Sequence, residues 1–110
     1  MKQYIIDELR PEDHAKVKSY LDEHFAVADF DGLYRVPIDD ALLDGVQQAH
    51  DACRPHYLAL ELFQDRLVCE LLVRTNQHIR CQCIQYATQA QRNWLIDWVD
   101  TVLEKLDISV

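Results

Sequence analysis

Apolar residues change their spacing several times along this chain, and each change marks a new element. Tyr4 to Leu9 reads as a short strand. Pro11 suits the first position of a helix, and Glu12 and Asp13 follow in the first turn, where the helix dipole favours anions. Val17, Tyr20, Leu21, His24 and Phe25 then recur at helical spacing and predict a helix of about four turns. Asp29-Phe30-Asp31-Gly32 reads as a turn, and Leu33 to Val36 as a strand stopped by Pro37.

Asp39 is a good N-cap for a second helix, with Ile38 and Leu43 placed to form a hydrophobic staple across it. Leu42, Val46, Ala49 and Cys53 then share one helical face. Gly45 weakens this helix and invites a break into two short ones. Arg54-Pro55 ends it.

The middle of the chain alternates with a period of two. Leu58, Leu60 and Leu62 mark one face of a first strand, Leu67, Cys69, Leu71 and Val73 that of a second, and Ile79, Cys81 and Cys83 that of a third. Requiring these sets to share a face pairs Leu62 with Leu67 and Leu60 with Cys69 around a turn at Gln64-Asp65. The same rule pairs Val73 with Ile79, Leu71 with Cys81, and Cys69 with Cys83, gathering three thiols on one hairpin. A last helix runs from Gln89 to Leu106, with Thr88 and Gln91 spaced as a capping box. The pattern predicts an α+β fold of order β-α-β-α-β-β-β-α, a three-stranded antiparallel meander packed against helices in two layers. No linker or repeat divides residues 1–110, so a single domain is expected.

Composition narrows the function classes. At 49% hydrophobic and 27% charged residues the chain has a globular make-up. Its net charge of −8 opposes a nucleic-acid or anionic-membrane partner, which needs clustered Lys and Arg. No apolar run approaches the roughly 20 residues of a membrane span. The N-terminus lacks a signal-peptide pattern, so a reducing, cytoplasmic setting is expected, with the cysteines as thiols or metal ligands.

Four cysteines and five histidines are the candidate chemistry. His50-x-x-Cys53-x-x-His56 stands in one segment and His78-x-x-Cys81-x-Cys83 in another. His50, Cys53, Cys81 and Cys83 have the donor chemistry of a tetrahedral zinc site, with Cys69 as a substitute member. The competing reading makes the cysteines small core residues; it is preferred because apolar side chains surround each of them, so no cofactor is expected. A third reading, Cys53 as nucleophile with His50 or His56 as base, is the least favoured. Two glycines leave no phosphate-cradling loop or nucleophile elbow.

What remains is a non-catalytic protein-interaction or regulatory module. The apolar arc of the last helix is wider than one sheet contact requires, with Trp94 at its rim and Trp98 nearer its centre. These two residues are the expected interaction surface, for a protein partner or a homodimer.

Overall fold

The computed structural model describes residues 2–27, 30–49, 55–75 and 84–108. The first strand, β1, spans Gln3–Ile6, shorter than the apolar run suggests because Glu8 takes φ 56° and turns the chain away. Helix α1 follows at Pro11–Phe25, where the Pro-Glu-Asp start places it. Strands β2 (Ala26–Val27) and β3 (Phe30–Pro37) pair antiparallel, so Phe30 to Gly32, read as a turn, belong to a strand. Gly32 there has φ 81°, and a Cβ would meet the Leu62 carbonyl oxygen at 3.2 Å. That position therefore favours glycine twice over.

The second helix breaks as Gly45 invites. Asp39 caps a short 3-10 helix, Asp40–Leu42, by accepting from the Ala41 N–H, and α2 begins afresh at Gly45–Ala49. The restart changes the phase of the helical face. Val46 is exposed and Gln47 buried, so the expected Leu42–Val46–Ala49 stripe does not face the core as one.

Strands β4 (His56–Leu62) and β5 (Leu67–Glu70) form the predicted hairpin, with Leu60 opposite Cys69 and Leu62 opposite Leu67. The expected second strand is divided. β6 (Leu72–Thr75) also pairs with β4, but three steps on β4, Tyr57 to Leu60, correspond to five from Cys69 to Arg74. Two extra residues bulge around Leu71. There the Leu71 N–H donates to the Lys2 carbonyl and the Leu71 carbonyl accepts from Ala87 N–H. β1 pairs with β5, and β7 (Gln85–Tyr86) pairs with β6, so these two short strands share one edge.

This arrangement corrects the register of the third strand. Val73 stands opposite Gln85, not Ile79. Cys69 lies between Leu60 and Tyr4, so both its sides are taken, and Cys81 and Cys83 lie outside the described residues.

Tyr4, Cys69, Leu60 and Tyr34 run side by side across four strands. The Tyr34 hydroxyl donates to Asp22 of α1 at 2.6 Å, and Val17 and Leu21 of α1 join the same core. Helix α3 (Gln89–Lys105) adds Leu95, Val99 and Leu103, and its Thr88–Gln91 capping box forms in both directions. Both long helices thus cover one face of the sheet, giving a two-layer α+β fold. No helix among the described residues is long and apolar enough to cross a membrane.

Candidate functional site

Period-two alternation assigns each strand residue to a face. With Tyr4, Ile6, Tyr34, Leu58, Leu60, Leu67 and Cys69 turned to the helices, Ile5, Leu33, Tyr57, Val68, Leu72 and Tyr86 belong to the opposite face. The core residues of both long helices pack on the other face, while Tyr57 of this face is itself buried. Ile5 is 45% exposed and Tyr86 49% exposed, and with Val46 they are the exposed large hydrophobics of the described chain. Cations lie over two of the rings: Arg35 is 5.1 Å from the Tyr57 centroid and Lys2 is 5.5 Å from that of Tyr86. Arg74 donates to Glu70 through Nε and a second guanidinium nitrogen. At the edge shared by β1 and β7, Ile5, Tyr86 and Lys2 form an exposed apolar and charged strip.

The residues expected to interact lie on α3. Trp94 and Trp98 are both half-buried and pack against the core, and Trp98 meets Phe25 edge-on at 5.5 Å between centroids. Trp94 is therefore not the protruding ring that the helical arc suggested. Ile5 was legible in principle: three consecutive apolar residues, Tyr4-Ile5-Ile6, cannot all face one side of a strand.

Of the candidate metal ligands, His50, Cys53, Cys81 and Cys83 lie outside the described residues, as does His78. Among the described residues no group of three or more His, Cys, Asp or Glu is placed to hold a metal ion. The described chain flanking the two segments does meet, because His56 of β4 pairs directly with Thr75 of β6. His56 and Thr75 are both buried.

Cys69 has no nucleophilic character. It is fully buried, and burial pushes its thiol from an ordinary 9.0 up to about 12. Tyr34 is raised from 10.0 to about 12, first by burial and then by its hydrogen bond to Asp22. The same bond is the main cause holding Asp22 below its ordinary value. On α1, Lys18 joins this group by pairing with Asp31 at 2.8 Å and Asp22 at 3.2 Å.

These shifts fix the alkaline behaviour. Folded Cys69 and Tyr34 keep their protons where the unfolded chain has already released them. Their stabilisation is complete below the unfolded values near 9 and 10 and is lost as pH rises toward about 12. The urea midpoint should therefore fall steadily above about pH 9, and Tyr34→Phe should flatten the upper part of that fall. A midpoint unchanged up to about pH 11 would contradict the burial of both groups.

Comparison with protein-family models, with curated proteins and with solved structures finds no match for this chain.

Proposed function

We propose that this chain is a non-catalytic protein-interaction module, engaging its partner through the open sheet face and the β1–β7 edge. The observation that carries the reading is the exposure of Ile5 and Tyr86 on the face opposite the helices. Large aromatic and aliphatic side chains on a surface with a charged surround are the usual anchors of protein contacts. The charge of −8 supports a protein partner over nucleic acid or an anionic membrane. A reducing cytoplasmic setting suits the buried thiol of Cys69.

The test compares wild type with an Ile5→Asp/Tyr86→Asp variant as immobilised baits, scored by quantitative recovery of bound protein. The double variant is expected to lose at least about tenfold of what wild type retains, with its thermal midpoint nearly unchanged. Equal recovery by both would remove this face from the binding role.

A zinc-stabilised domain is the second reading, favoured by the pairing of His56 with Thr75, which brings together the described chain next to the two Cys/His segments. On this reading His50, Cys53, Cys81 and Cys83 are the ligands. Protein purified without added metal should then carry about one equivalent of zinc, and chelation should lower its melting temperature. Metal-free protein with an unaltered melt under chelator would dismiss it.

A further inference from the structure

We propose that a second copy of this chain is the occupant of the β1 edge, the two β1 strands pairing antiparallel about a two-fold axis at Ile5. The inference rests on the interaction reading above and deepens it by naming the partner.

Backbone direction comes first. The Leu71 N–H donates to the Lys2 carbonyl at 3.1 Å, so Lys2 turns its backbone toward the sheet. Along an extended strand this orientation alternates, and Tyr4 and Ile6 follow Lys2. Ile5 accordingly points its N–H and C=O outward, and β1 ends the strand order among the described residues. Outermost strands are templates for another strand, and proteins usually blunt them with charge. Here the outward-facing centre of the edge is an exposed isoleucine.

Register comes second. A two-fold axis normal to the sheet keeps each face common to both copies, so paired residues must have the same parity. Centring on Ile5 sets Ile5 against Ile5 of the second copy, Gln3 against Asp7, Tyr4 against Ile6, and Lys2 against Glu8. Centring on Tyr4 instead sets Lys2 against Ile6. The Ile5 register buries the exposed isoleucine and places opposite charges together at both ends, where cross-strand charge pairs are favourable. It also ends where the chain itself turns away, at Glu8 with φ 56°.

Charge is the opposing term. The chain carries −8, and Asp100 of α3 stands over the edge, hydrogen-bonded by the Tyr4 hydroxyl at 3.4 Å. At physiological salt that repulsion reaches only about 8 Å, whereas the Ile5 register would set Lys2 beside Glu8 of the second copy. The edge itself supplies the one cation, Lys2, that a second copy's Asp7–Glu8 corner needs.

The test is sedimentation of wild type over a concentration series, with three variants and a cross-link. Wild type is expected to dimerise. Ile5→Lys, which sets like charges on the axis, should weaken the dimer by at least about tenfold, and Lys2→Glu by several-fold. Lys2→Glu/Glu8→Lys should recover the wild-type constant, which shows that loss in the single variant is not misfolding. Under oxidation, Ile5→Cys should cross-link, because hydrogen-bonded antiparallel pairs hold Cα atoms about 5.5 Å apart, within disulfide reach. Gln3→Cys should not rise above the wild-type background, its two copies being four residues, roughly 13 Å, out of register. A wild type that stays monomeric overturns the proposal, as does a dimer indifferent to Ile5→Lys and to charge reversal. If monomeric protein still loses a heterologous partner in the Ile5→Asp/Tyr86→Asp variant, the interaction reading survives and only the second copy is excluded.

Discussion

Replacing Gln91 with Leu is expected to lower the free energy of unfolding by about 3 kcal/mol or more, an effect usually reserved for large apolar core residues. Gln91 is fully buried, and its amide connects three elements. Oε1 accepts from the Thr88 N–H at 2.9 Å, completing the α3 capping box. Nε2 donates to the Leu42 carbonyl and to Gln47 Oε1, each at 2.9 Å. Gln47 in turn accepts from the Asp44 N–H at 3.1 Å while its own N–H donates to Asp44, a second capping box at the start of α2. Asp44 also accepts from Gln85 of β7. Two caps are thus locked back to back through a pair of buried amides. Leucine fills similar space yet strands the Thr88 N–H and the Leu42 carbonyl, each costing about 1–3 kcal/mol when left unpaired, and removes one of the two bonds to Gln47 Oε1. Gln47→Leu should cost about 2 kcal/mol, and the double variant less than the sum, because the shared bond is lost only once. Urea denaturation of the four proteins gives the cycle. Additive losses would mean that the two amides do not act on one another.

Which parts of this arrangement the sequence announces depends on how local their causes are. Helix α1, the β4–β5 hairpin and α3 each rest on periodicity and caps within one segment, and they occur where Pro11, Gln64-Asp65 and Thr88 place them. Strand β2 has two residues, too few for any periodic signal. The split at Leu71 arises because β1 and β7, about 80 residues apart in sequence, share one edge, and no local pattern in Leu67–Thr75 records that. The burial of Gln47 was half legible. Asp44-x-x-Gln47 has the same box spacing as Thr88-x-x-Gln91, but the apolar stripe through Val46 outweighed it, and the break before Gly45 decided otherwise. The packing of the α3 tryptophans was likewise beyond a local pattern. A wide apolar arc on α3 suggested surplus, whereas Phe25 at the end of α1 takes up Trp98. Ile5 and Tyr86 are exposed instead, because a strand has two faces and the long helices cover one.

Leu60→Ala is the second large effect, and it tests that assignment of faces. Leu60 has no exposed surface and sits at the centre of the Tyr4–Cys69–Leu60–Tyr34 row, below both long helices. Neighbours fixed by strand pairing on both sides leave little room for collapse, so the loss should be about 3–4 kcal/mol, in the upper part of the range for such truncations. Cys69→Ala next to it removes one sulfur and should cost about 1 kcal/mol. Ile5→Ala, on the other face and the outermost strand, should change stability by less than about 0.5 kcal/mol. This ordering matters for function as much as for folding. Loss of self-association in an Ile5 variant can be read as lost contact only if Ile5 contributes little to the monomer, and Leu60 supplies the contrast. If Leu60→Ala were tolerated while Ile5→Ala unfolded the chain, the helices would cover the wrong face and the edge proposed for the second copy would already be filled from within.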